Sequence, residues 1–229
     1  MTFRAVLFDA GNTLLHLDYW RLAPVVARAA DAPITPEGLL AAAPAAARAL
    51  ESAATTDRER AVAYLESLFT LAGVPAPRMD AVRQAVWTLH RERNLWAGVA
   101  PDTIHGLERL AAAGVPMGVV SNSDGRVDGA LESAGLRQFF RVVVDSALVG
   151  VEKPDPRIFA PALETLGVSP AEALYVGDLY EVDVVGARRA GMAAVLLAPD
   201  GAAVPDGVRV ARSIGSLVDE LLSGEVETR

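Results

Sequence analysis

In the stretch AVLFDAGNTLL, residues 5–15, an apolar run ends on a carboxylate, Asp9, and is followed by turn-forming residues but no second acid. Two more apolar runs end in polar groups, PMGVVSNSD at Ser121 and Asn122 and ALYVGD at Asp178, and the loop GVEKPDP carries Lys153. Two carboxylates, a hydroxyl and an ammonium can attack and stabilise an electrophile with charged oxygens, provided that they meet. Taken singly, each has a structural explanation: Asp9 or Asp178 as a helix N-cap, Ser121 as a turn former, Lys153 as a solvated loop charge. Lys153 is nevertheless the only lysine beside twenty arginines. A chain so biased keeps a lysine where a compact point charge is required and a planar guanidinium would not fit.

The elements that would bring these groups together are legible in the surrounding text. RAVLFD, PMGVVSNSD, RVVVDS, ALYVGD and AAVLLAPD are short, continuous apolar runs, the pattern of strands buried on both faces of a parallel sheet. Between them lie helical segments that close on Gly114, Gly135, Gly167 and Gly191. Alternating strand and helix predicts an α/β fold, a doubly wound parallel Rossmann-like sheet with right-handed crossovers. In such a sheet the carboxyl ends of the strands share one edge, and ligands bind in the crevice outside it. Asp9, Ser121, Asn122 and Asp178 are then neighbours, joined by Lys153.

Residues 16–97 break this rhythm. They hold Ala-rich helical text without a comparable β-branched run, and APITPEG and AGVPAPR divide it into about four helices. We read residues 1–15 and 98–229 as the catalytic core and residues 16–97 as an inserted all-helical cap domain standing over the end of the first strand. A helical bundle of unrelated purpose is the alternative.

With 229 residues, 52% of them hydrophobic, the chain is long and apolar enough to bury a substantial core. A net charge of −8 argues against nucleic acid as a partner, which demands a basic face. The sequence has no cysteine, and no apolar stretch approaches the roughly 20 residues that span a bilayer. These features predict a cytoplasmic protein with no membrane partner, and they carry no signature of oligomeric state.

FDAGNTL, VVSNSDG, GVEKPDPRIF and YVGDLYEVDVVGARRAGM resemble, in order and spacing, the four motifs of the haloacid dehalogenase-like hydrolases, over residues 3 to about 198. The most specific piece is the fourth, in which Gly177-Asp178 is followed after four residues by Asp183 and then Gly186-Ala187. The resemblance implies a Mg²⁺-dependent phosphohydrolase acting on a small phosphorylated substrate through an aspartyl-phosphate at Asp9. It implies metal ligation by Asp9, Asp178 and the main-chain carbonyl of Gly11. Asp183 would hold a water of the ion's shell or orient Lys153. Lys153 and Ser121 complete the catalytic set, and Ser121, Asn122 and Lys153 bind the phosphoryl oxygens.

Most phosphatases of this family carry a second Asp at the position of Gly11, where it protonates the leaving alcohol. Its absence leaves the expected main-chain ligand in place but removes a group that contributes roughly 10²–10⁴-fold in rate. Slow turnover of unactivated monoesters follows, unless His16 or His90 of the insertion replaces the acid. A regulatory descendant that binds Mg²⁺ and phosphate without turnover remains open, as does a dehalogenase. A phosphonatase is excluded because the cap has no lysine for a Schiff base. A phospho-accepting receiver domain would explain neither the insertion nor the fourth motif.

Overall fold

The structure, a computed structural model, describes residues 3–48, 57–198 and 204–224. The chain divides into two compact units, one of Met1–His16 with Trp96–Arg229 and the other of Leu17–Leu95. Two short strands, β2 (His16–Leu17) and β3 (Trp96–Gly98), pair with each other where the chain passes from one unit to the other.

The first unit is built on a six-stranded parallel sheet of β1 (Ala5–Phe8), β4 (Met117–Ser121), β5 (Val142–Asp145), β6 (Ala173–Gly177), β7 (Ala193–Leu197) and β8 (Arg209–Ala211). Its order is β5-β4-β1-β6-β7-β8. Strands β4 and β5 are added on one side of β1 and the later three on the other, so the winding reverses at β1, where an α/β sheet opens a crevice for a ligand. Every residue of β1, β4 and β6 is buried, as their apolar text requires. Val6 and Phe8, Met117 and Val119, and Leu174 and Val176 fill one core. Ala5, Leu7, Val120 and Tyr175 fill the core on the opposite face. Among the described residues, six α-helices flank this sheet: α5 (Pro101–Ala112), α6 (Val127–Ser133), α7 (Ser146–Val149), α8 (Ala160–Leu166), α9 (Val185–Arg189) and α10 (Ile214–Ser223).

Gly114, Gly135, Gly167 and Gly191, the residues expected to close helices, all have left-handed backbones. Two helical segments differ from simple expectation. DPRIFAPALETLG opens with a 3₁₀ turn, Pro156–Phe159, and EVDVVGARRAG begins inside a π turn, Tyr180–Val184, that leads into α9. Strand β8 and helix α10 lie beyond the strand-and-helix text read above. The strand has only three residues and its middle one is exposed, so no buried apolar run announces it. The end of the AAVLLAPD run, residues 199 and 200, lies outside the described residues.

The second unit holds α1 (Tyr19–Ala30), α2 (Pro36–Arg48), α3 (Asp57–Leu71) and α4 (Met79–Glu92). The helical text expected over residues 49–53 is outside the described residues. Helix α1 starts on Asp18, whose carboxylate accepts the main-chain N–H of Arg21. It buries Leu22, Ala23, Val26 and Ala30, one stripe of its surface. Helix α4 buries Val82, Val86 and His90 at successive four-residue steps. Helix α1 packs against α4 and α2, and α2 against α3. Among the described residues, no helix is long and apolar enough to cross a membrane.

Candidate active site at the carboxyl edge of the sheet

Asp9 continues the ladder of β1 by one residue, donating its main-chain N–H to the Val176 carbonyl at 2.8 Å. The loop beyond is closed by Ala10, whose carbonyl accepts from Leu14 and Leu15, and by Asn12, which donates to Leu15. The left-handed residue of this loop is Asn12, at φ +53°, and not Gly11. A Cβ at position 11 would meet only the Trp96 indole, at 3.8 and 3.9 Å, which is ordinary contact. Neither backbone nor space therefore demands glycine there, and the missing side chain is a chemical difference.

Side chains alternate across a strand, so Asp9 falls on the same face of the sheet as Leu7 and its β6 neighbour Tyr175. Lys153 reaches that face. Its Nζ donates to Asp9 Oδ1 at 2.5 Å, to Asp183 Oδ1 at 2.8 Å and to the Tyr175 hydroxyl at 2.9 Å. Asp183 comes from the π turn and also accepts the main-chain N–H of Leu179 on Oδ2. This approach depends on Gly177, because a Cβ there would stand 2.3 Å from the Asp183 carboxyl carbon. Asp178, half-buried, is the next residue. Carboxylate oxygens of Asp9, Asp178 and Asp183 lie within 4.8 Å of one another.

Ser121 is buried at the end of β4, beside Asp145 at the end of β5. The Asn122 amide is spent on Lys153: Oδ1 accepts the lysine's main-chain N–H at 2.8 Å, and Nδ2 donates to its carbonyl at 3.0 Å. The loop that follows is held from β5. The Asp145 carboxylate accepts the N–H groups of Gly125, Val127 and Ala147. The Ser146 hydroxyl accepts from Ser123 N–H and donates to Ser123 O. Sequence reasoning missed Asp145 and Tyr175. The signal for Tyr175 was a phenol inside a strand buried on both faces, whose hydroxyl must find a partner there. Thr13 Oγ1 is also buried, with no hydrogen-bond partner.

Burial pushes the Asp9 carboxyl up to about 6; the Lys153 ammonium pulls it down and the Asp183 charge pushes it up. Burial also drives Asp178 well above the usual carboxylate range, reinforced by the charges of Asp183 and Asp9. Burial lowers Lys153, but Asp183 and Asp9 outweigh it, and the ammonium stands well above its ordinary value. Three carboxylates share one ammonium, which leaves two negative charges uncompensated when all are ionised. An all-oxygen donor set with that imbalance fits a hard divalent cation.

The two candidate histidines lie in different units. His90 lies in the core of the helical unit, its Nδ1 accepting the N–H of Leu95 and its ring 5.4 Å from that of Trp87. His16 sits in β2, where burial lowers its pKa and the Asp102 carboxylate opposes the shift.

Residues 3–191 match the family model of the haloacid dehalogenase-like hydrolases. The chain is 39% identical over 146 residues to mouse haloacid dehalogenase-like hydrolase domain-containing protein 3, covering 61% of this chain and 57% of the relative. It is 39% identical over 122 residues to the glyceraldehyde 3-phosphate phosphatase of Methanopyrus kandleri, covering 53% and 52%. The matched region thus spans about half the length of these curated relatives. Among solved structures, a HAD phosphatase from Thermococcus onnurineus superposes with a TM-score of 0.62 at 25% identity, over 96% of this chain and 98% of that one. Since the model match runs through all four motifs, including the cluster of Asp9, Lys153, Asp178 and Asp183, the chain belongs to the haloacid dehalogenase-like hydrolases.

Proposed function

We propose that this protein is a phosphohydrolase in which Asp9 is the nucleophile, acting with Mg²⁺ on a small phosphorylated metabolite. The observation that carries the reading is the placement of the buried Lys153 ammonium 2.5 Å from Asp9, inside a trio of carboxylates. Relatives named as phosphatases of glyceraldehyde 3-phosphate and of phosphoserine, the latter 35% identical over 139 residues in Thermus thermophilus, support the substrate class.

Asp9 and Asp178, with Asp183 and the main-chain carbonyl of Gly11, would hold the cation. When bound, Mg²⁺ supplies positive charge that screens the phosphoryl oxygens from the attacking carboxylate. Lys153 fixes one Asp9 oxygen and keeps its own charge beside the reacting group. An Asp9 oxygen forms a bond to phosphorus as the ester P–O bond breaks, giving an aspartyl-phosphate and the departing alkoxide. Water then attacks phosphorus as the bond to the Asp9 oxygen breaks, restoring Asp9 and releasing inorganic phosphate, while the alkoxide takes its proton from solvent. Ser121 and nearby main-chain N–H groups outside those held by Asp145 and Ser146 bind phosphoryl oxygens, with Lys153 and Asn122 beside them. Gly11 offers no proton to the alkoxide, so turnover favours leaving groups that depart unaided.

Hydrolysis of an activated aryl phosphate tests this reading. The expected result is Mg²⁺-dependent turnover that falls roughly 10³-fold or more in Asp9→Asn. Wild-type rates no higher than those of Asp9→Asn would instead favour a protein that binds Mg²⁺ and phosphate without turnover, the reading that Gly11 keeps open. Halide release from a 2-haloacid without added metal would point to a dehalogenase.

A further inference from the structure

We propose that Tyr175 is a positioning residue for Lys153, its hydroxyl supplying the third acceptor that locks the ammonium between Asp9 and Asp183. This rests on the proposed function only in its kinetic arm.

An ammonium has three N–H bonds and no acceptor. Lys153 Nζ finds an acceptor for each: Asp9 Oδ1, Asp183 Oδ1 and the Tyr175 oxygen. The phenol has one proton of its own. Because its oxygen accepts from Lys153, that proton goes to the Val120 carbonyl at 2.8 Å. Asp183 Oδ1 is the poorer acceptor at 3.3 Å, and it already takes a lysine proton. The bonds therefore run in one direction, from the ammonium through the phenol to the main chain of β4, one residue before Ser121.

Nothing in this chain is free to drift. Tyr175 is fully buried, and its ring is held edge-on by Phe159 at 5.0 Å and 78°. Lys153 and Asp183 are 5% and 1% exposed, which leaves little access for water to replace the phenol. The other end of the lysine is held by the Asn122 amide on its main chain. Without the hydroxyl, the four-carbon stem between these ends has only two carboxylates to set the ammonium, and one buried N–H is left unpaired.

The test is Tyr175→Phe, which removes one oxygen and keeps the ring against Phe159. With an activated aryl phosphate, kcat is expected to fall about tenfold while KM changes less than about twofold, because the defect lies in aiming the nucleophile and not in holding substrate. The second arm needs no activity. The urea midpoint shift caused by Tyr175→Phe should shrink to less than half in a Lys153→Met background, where only the bond to the Val120 carbonyl is left to lose. Equal shifts in both backgrounds, or an unchanged kcat in an active enzyme, overturn the proposal. If the wild type shows no turnover, the function reading fails and the midpoint cycle still decides this one. Should Lys153→Met not fold, a crystal structure of Tyr175→Phe takes its place. A shifted Nζ supports the proposal, and an Nζ still bonded to both carboxylates with no new partner ends it.

Discussion

Polar groups are tied together differently in the two units. In the sheet unit the ties around Lys153 are long and buried, beside exposed pairs such as Arg126 with Asp124: Lys153 meets Asp9 across 144 positions of sequence, with side chains 2% and 9% exposed. In the helical unit they are short or wet. Asp18 caps Arg21 three residues on, His90 serves Leu95 five residues on, and Arg83 pairs with Glu66 at 44% and 42% exposure. Buried groups that share partners respond to substitution together, whereas exposed or local pairs respond nearly independently. One unit therefore holds a constellation that stands or falls whole, whereas the pairs named in the other should respond to substitution one at a time.

The largest effect that would sharpen this contrast is expected at Lys153. Lys153→Arg keeps the charge, but a flat guanidinium cannot place three donors on Asp9, Asp183 and Tyr175 from one point. Turnover of an activated aryl phosphate should fall about 10²–10³-fold, a loss on the scale of a broken buried ion pair. Near-normal rates would mean that charge alone suffices and that the constellation is looser than its distances suggest.

Next comes Gly11→Asp. The site has room for a side chain, so the fold should survive, and hydrolysis of an unactivated alkyl phosphate should rise by about 10²-fold, within the range of a restored general acid. An intact variant with no gain would refute the account of glycine as the cause of slow turnover.

A smaller, pH-dependent effect belongs to Asp9. Its folded pKa, raised to about 6 by burial, lies above the ordinary value of 3.8. Between those values the folded state binds the proton more tightly than the unfolded state, so stability falls as pH rises through this window. Urea unfolding of protein stripped of divalent cations should therefore weaken from pH 4 toward pH 6, and less steeply in Asp9→Asn. An identical slope in the variant would remove Asp9 from the account.

The smallest effect on turnover is expected in the helical unit. His90→Ala loses a buried acceptor and should lower stability by about 2 kcal/mol in urea unfolding. Its kcat and KM for an aryl phosphate should stay within about twofold. A large change in kcat would make His90 part of the chemistry and break the comparison between units.

The same contrast explains what could be read from the chain alone. Strands β1, β4 and β6 announce themselves because every residue in them is apolar or small, and a polar residue stands where each leaves the core. The motifs at those ends then gave the family, which the model match over residues 3–191 establishes. Tyr175 was harder to see, because a phenol in an apolar strand looks like packing until the lysine it serves is placed beside it. Asp145 was hidden in another way: it ends RVVVDS as an ordinary strand-end acid, and only the fold shows three main-chain donors converging on it. Asn122 is a phosphate-binding expectation of the resemblance, and the fold adds a bracing role that its text does not announce, with its side-chain amide spanning the main chain of Lys153. Strand β8 lacked a signal because it is short, lies at the sheet's edge and is partly exposed.

Gly177 carries no functional group, yet the Asp183 carboxyl occupies the space where even a methyl would have to go. In a saturation-mutagenesis survey scored by enzyme activity, position 177 should look as intolerant as Asp9 itself. Such a survey would mark as reactive a residue whose whole contribution is to leave room.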